Sequence, residues 1–142
     1  MRSLFDVNVL IALFDTDHVH HTVAMNWLQS HGGEGWASCP ITQNGCLRIM
    51  SQPRYPNPLP IPELANRLRQ SMATQYHHFI ADNISLLNED CIDQSMVLNS
   101  PQLTDIYLLA LAVQNHCRLV TLDQSIPVSA VIGASSDHLV VL

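Results

Sequence analysis

The sequence predicts a three-layer α/β/α fold, with a mostly parallel central sheet covered on both faces by helices. Three observations carry this expectation. Short apolar runs alternate with helical patterns along the whole chain. Two of those runs, Ser3-Leu4-Phe5 and Arg118 to Leu122, end directly on an aspartate. The chain has 142 residues and 47% hydrophobic content, the size and composition of one domain with a real core.

The elements follow in order. Ser3-Leu4-Phe5 reads as a buried strand, and Val7 to Phe14 as a helix apolar around most of its surface. Asp17 is placed to cap the next helix, in which Val23, Trp27 and Leu28 share a face, and Gly32, Gly33 and Gly35 end it. Trp36 to Cys39 is the second strand, and Thr42 is placed to cap a helix through Leu47, Ile49 and Met50. Ser51 to Pro62 carries Pro53, Pro56, Pro58, Pro60 and Pro62, a density that excludes helix or central strand and predicts a semi-rigid surface loop. Glu63 to Thr74 is helical, Ile84 to Leu87 is a third strand and Cys91 to Asn99 is a helix. Thr104 caps a helix with Ile106, Leu109, Ala110 and Val113 on one face, closed by Asn115 and His116. Arg118 to Leu122 and His138 to Leu142 are the last strands. The expectation is one domain over residues 1–142, without repeats.

Charge and cysteine usage narrow the function. The net charge is −6, and all six basic residues are arginines, so no general basic face for nucleic acid is present. Attraction to a polynucleotide would need a local patch, for which Arg48 and Arg54 are the best candidates, with solvated surface arginines the plain alternative. The four cysteines have no C-x-x-C spacing, which disfavours zinc and fits reduced thiols. Asp6 and Asn8 interrupt any signal-peptide core, and the longest strongly apolar run, Ile106 to Val113, is too short to span a membrane. A cytoplasmic protein with no membrane partner is expected. Trp27 and Trp36 read as core, and His18, His20, His21, His77 and His78 as polar surface, since no convincing third metal ligand accompanies them.

Asp6 and Asp123 each follow a strand, and Asp105 opens a helix. Singly, each is explained as a cap, a turn residue or a response to the helix dipole. Together, in a parallel sheet, they converge at the carboxyl edge, where ligands bind. Converging carboxylates raise one another's pKa unless a cation neutralises them, and a hard divalent ion is the natural partner.

These segments resemble a known family. Phe5-Asp6-Val7-Asn8-Val9-Leu10-Ile11-Ala12 is similar to the D-x-N-x-L opening of PIN-domain nucleases. Leu103-Thr104-Asp105-Ile106-Tyr107-Leu108-Leu109-Ala110-Leu111-Ala112 is similar to their T-D-x-x-L-A-A-L-A helix, and Leu119-Val120-Thr121-Leu122-Asp123 to their L-V-T-x-D strand end. Asp17-His18 through Trp27-Leu28 resembles a segment of the toxin subunits called VapC. The resemblance implies a PIN fold, a ribonuclease dependent on Mg2+ or Mn2+, a homodimer and a small antitoxin partner. It implies that Asp6 and Asp105 hold the metal, that Asp123 is a further acidic ligand or water-orienting group, and that Asn8 and Thr104 support them. The implied chemistry is hydrolysis of an RNA phosphodiester.

One departure stands out. The family has a glutamate early in the helix that begins near Thr42, and the aligned position here is Gln43 or Gly45. Gln43 can hold a water or nucleotide through its amide but cannot act as a base. The rival reading is therefore a PIN-like module that binds RNA or protein without cutting. Haloacid-dehalogenase-like phosphatases want D-x-D-x-T where Asn8 stands, and they and receiver domains resemble families with a site lysine, which this chain lacks.

Overall fold

The computed structural model describes residues 1–142. Leu4 and Phe5 leave strand β1 (Arg2–Phe5) on opposite faces, as successive strand residues must. Both are buried, so both faces need cover. Helices α1 (Val7–Phe14), α2 (His21–His31), α3 (Pro40–Met50) and α4 (Ile61–Met72) contribute to a core around Phe5 and Val120. Leu4, Ala37 and Leu119 face the opposite core, built on α5 (Leu103–Gln114). Ile106, Leu108, Leu109, Leu111 and Ala112 of α5 are fully buried. Its faces away from the sheet are covered by residues near Ile92, Ile126 and Val131. A helix apolar all round is one enclosed all round. No helix is long and apolar enough to cross a membrane.

The sheet has the order β3-β2-β1-β4-β5, with β2 Trp36–Ser38, β3 His77–Phe79, β4 Cys117–Thr121 and β5 Leu139–Val141. All its pairings are parallel. The chain steps outward from β1 to β2 to β3, then returns to place β4 on the other side of β1. That reversal is a topological switch point, and it opens a crevice at the carboxyl ends of β1 and β4. Phe5 pairs with Val120, so Asp6 and Thr121 come next on their strands at this edge.

Several expected elements are corrected. The third strand is His77–Phe79 and not Ile84 to Leu87. The ladder follows backbone register with Trp36 to Ser38, while Ile84 and Leu86 pad the α5 core without pairing. Cys91 to Asn99 is not a helix. Ile92 makes an antiparallel bridge to Val131, and the Asp93 carboxylate accepts from the Ser95 N–H and hydroxyl, closing only a short 3₁₀ turn over Gln94–Met96. Such local side-chain bonds compete with helix. Neither threonine is a cap: α3 begins at Pro40, so Thr42 lies in its first turn and its Oγ1 accepts from the Cys39 N–H at 3.0 Å. Thr104 likewise lies inside α5, whose cap position is Gln102. Asp17 sits in a turn, and His20 precedes α2. Pro62 falls inside the first turn of α4, where its missing N–H costs nothing, so the proline-rich loop ends two residues earlier than expected.

Candidate active site

Asp6 is the N-cap of α1, with 5% of its surface exposed. Its Oδ1 accepts from the Val7 N–H at 2.6 Å, and its Oδ2 accepts from the Thr121 hydroxyl at 2.8 Å. Thr121, fully buried at the end of β4, uses the same Oγ1 to accept the Asp123 N–H at 3.0 Å. One hydroxyl thus ties the two acidic strand ends together. Asp123 is held in turn by the Ser125 N–H and hydroxyl, which donate to its Oδ1 at 2.7 and 2.6 Å. Asp105, half-buried in the first turn of α5, completes the group.

The carboxylates perturb one another. Burial raises the Asp6 pKa, against the hydrogen bonds from Thr121 and Val7, and the charge of Asp123 adds to the rise. Asp105 is pushed up to about 6 by burial, then by the charges of Asp6 and Asp123 and a hydrogen bond shared with Asp123. Asp123 is held below the usual range, first by its bonds from Ser125. Below about pH 6, then, the proton of the 105–123 pair sits on Asp105, and Asp123 accepts its hydrogen bond. No basic group answers this charge: the ion pairs join Met1 and Arg118 to Glu34, and Arg67 to Glu63. An all-oxygen cluster without an arginine suits a hard divalent cation, so the residues fit the ion that the motifs imply. No three acidic, histidine or cysteine side chains already close around one point. An ion held by Asp6 and Asp105 would therefore keep positions for water and phosphate.

The remaining expected residues are only partly gathered. Asn8 is exposed on α1 and shares with Asp123 an open cavity of about 540 Å3, also lined by His18, Val19 and His20. Thr104 is exposed beside Asp105 and makes no hydrogen bond through its side chain. Gln43 donates through Nε2 to the Ser38 hydroxyl at 2.9 Å and to Met72 Sδ at 3.6 Å. Ser38 also bonds His77 Nε2 at 2.8 Å. Since Leu4 pairs with Ala37, Ser38 is level with Phe5, which puts Gln43 at the site edge of the sheet. Gly45 has no room for a side chain: a Cβ there would lie 2.8 Å from Val7 Cγ2. Of the two alignments for the missing glutamate, only Gln43 can host one. Arg48 and Arg54 are exposed and unpaired, Arg48 in the last turn of α3 and Arg54 in the loop beyond, toward the end of that helix away from the carboxyl edge. A smaller apolar cavity of about 160 Å3, lined by Leu10, Leu13, Phe14, Met25 and Leu28, touches none of the acids.

Sequence reasoning missed Thr121, Ser125, Ser38 and the histidine wall. Thr121 carried a signal, a polar residue inside a buried strand two before an aspartate. The others depend on contacts that only the folded chain makes.

Comparison with known proteins defines the class. The PIN domain family profile matches residues 3–130. The chain is 49% identical to Ribonuclease VapC44 of Mycobacterium tuberculosis over 142 residues, all of both chains. It is 37% identical to Ribonuclease VapC39 of the same organism over 134 residues, covering 94% of this chain and 96% of the other. Among solved structures, VapBC2 from Rickettsia felis, bound to a DNA fragment from their promoter, superposes with a TM-score of 0.57. That match has 12% identity and covers 87% of this chain and 89% of the other, so it speaks for the fold alone. The chain belongs to the PIN-domain family, in its VapC branch.

Proposed function

We propose that this protein is a metal-dependent endoribonuclease, the toxin component of a toxin–antitoxin pair. The observation that carries the reading is the convergence of Asp6, Asp105 and Asp123 at the switch point, with the Asp105 pKa driven to about 6 and no cation of the protein to relieve it. The names of the VapC relatives support ribonuclease activity and, with the sequence resemblance to VapC toxins, the toxin reading with its antitoxin partner.

On this reading Asp6 and Asp105 hold Mg2+ or Mn2+. The bound ion supplies charge neutralisation at the phosphoryl oxygen and a more acidic attacking water. The chain's own groups do the rest. Thr121 and Val7 fix the Asp6 carboxylate so that its lone pairs meet the site in one orientation. Asp123, kept ionised by Ser125, orients the attacking water and can accept its proton. Asn8 lines the cavity beside Asp123 and supports the substrate there. Thr104 offers a free hydroxyl next to Asp105, and the Gln43 amide binds water or nucleotide without acting as a base. Arg48 and Arg54, unpaired and exposed, serve as outer contacts to the RNA backbone. A homodimer acting in the cytoplasm completes the proposal.

The test is incubation of the full chain with a mixed RNA pool, with Mg2+, Mn2+ or chelator, beside an Asp6→Asn/Asp105→Asn control. Metal-dependent cleavage absent from the control supports the nuclease. Cleavage equal in both, or in neither across a range of RNAs, favours a PIN domain that binds without cutting, the reading to which Gln43 lends weight.

A further inference from the structure

The cavity beside Asp123 has a second wall that the proposed chemistry does not use. His18, Val19 and His20 line, with Asn8, Leu122, Asp123 and Gln124, an open cavity of about 540 Å3, within the range of ligand sites and large enough for one nucleotide. This wall is a built turn. The Asp15 carbonyl accepts the His18 N–H at 3.0 Å, and the His18 carbonyl accepts the His21 N–H at 2.9 Å. His21 is anchored through Nδ1 to the Ala12 carbonyl at 2.7 Å, and Asp15 accepts from the Tyr55 hydroxyl.

The turn also fixes the chemistry of one ring. The His20 N–H donates to His18 Nδ1 at 3.1 Å, so a neutral His18 carries its proton on Nε2 and has a defined donor there. The two imidazoles lie 5.7 Å apart at 44°, and Val19 between them is 86% exposed. No arginine or lysine lines the cavity, and Asp123 does. That charge pattern repels a bare phosphate. Flat π surfaces, an apolar side chain and one fixed donor instead suit an unpaired base, which stacks on histidine as on other aromatic rings and offers edge acceptors.

We infer that His18, Val19 and His20 form a nucleobase subsite that holds, unstacked from its neighbours, the base next to the scissile phosphate of single-stranded RNA. The inference rests on the ribonuclease reading for its substrate but is tested separately from it. Two arms are needed. In the first, histidine ring resonances of the full chain are followed by NMR in chelator, where no metal-dependent cleavage occurs. The chain is titrated with a mixed-sequence single-stranded oligoribonucleotide and with an abasic ribose-phosphate chain of equal length. His18 and His20 should shift with the first and not the second. No ring shift with either chain, or equal shifts with both, overturns the subsite.

In the second arm, cleavage of an oligonucleotide containing a mapped site is compared with the same strand made abasic at the flanking nucleotide. Wild type should lose roughly 5- to 150-fold in kcat/KM on the abasic strand, the scale of one base stack. His18→Ala/His20→Ala should lose a similar factor on the intact strand and little more on the abasic one. His116→Asn, in the exposed α5–β4 turn, should match wild type. Equal discrimination by wild type and the double variant overturns the inference. If wild type cleaves nothing while the ring shifts appear, the nuclease reading fails and the subsite stands as a binding surface.

Discussion

Asp105→Asn should make the metal-free protein more stable while destroying its activity. The Asp105 pKa lies at about 6 against an ordinary 3.8. Two pKa units correspond to roughly 3 kcal/mol. Asp105 is partly exposed, so screening reduces the cost to about 1–1.5 kcal/mol. The raised value means that the folded state binds more protons than the unfolded state between pH 3.8 and about 6. Stability therefore falls as pH rises through that window, and the cost is fully present above it. Asparagine keeps the shape and removes the charge. Urea unfolding in chelator should show the variant about 1–1.5 kcal/mol more stable at pH 7.5, with the difference vanishing near pH 4. Saturating Mn2+ should reverse the order at pH 7.5, because the ion stabilises the form that binds it better. A variant less stable than wild type at both pH values in chelator would refute the electrostatic reasoning. So would an equal gain from Mn2+ in both proteins.

Three further outcomes follow from the geometry. Thr121→Val removes the donor to Asp6 and the acceptor for the Asp123 N–H, and should cost about 1–3 kcal/mol by urea unfolding with metal-dependent cleavage sharply reduced; unchanged stability would show that the bridge contributes nothing. Gly45→Ala drives a methyl against Val7 and should destabilise by about 1–3 kcal/mol, an effect that Val7→Ala should relieve in a double-mutant cycle; additive losses would exclude the clash. Gln43→Glu adds the acid that the family resemblance implies near this place, and Mn2+ affinity by calorimetry should tighten by on the order of tenfold; unaltered affinity would place this side chain too far from the ion to matter.

The parts of the fold legible in the sequence are those where apolar patterning and pairing coincide. β1 and β4 are buried on both faces, so Leu4, Phe5, Leu119 and Val120 announce them, and each delivers its aspartate on schedule. β3 is the opposite case. It is an edge strand whose His78 and Phe79 are exposed, held by backbone bonds to β2 that no side-chain pattern reports. Ile84 and Leu86 drew the assignment because they are apolar, yet they pack without a ladder. Capping threonines misled in the same way: Thr42 performs a capping bond from inside the helix, which spacing alone does not distinguish from the cap position. The places of the three aspartates were legible because Asp6 and Asp123 each follow a strand and Asp105 opens a helix. The residues that hold them were not, because Thr121 meets Asp6 only through the β1–β4 register.

That last contact has a consequence in time. Asp6 and Thr121 are 115 residues apart in the chain, and Asp105 and Asp123 also lie in its last third. At synthesis rates of about 5–20 residues per second, roughly 6–23 s separate the first acid's appearance from its partner's. Throughout that interval β1 lacks the neighbour that completes the crevice. The acidic edge is thus incomplete on the ribosome until the segment carrying Asp105, Thr121 and Asp123 has been made.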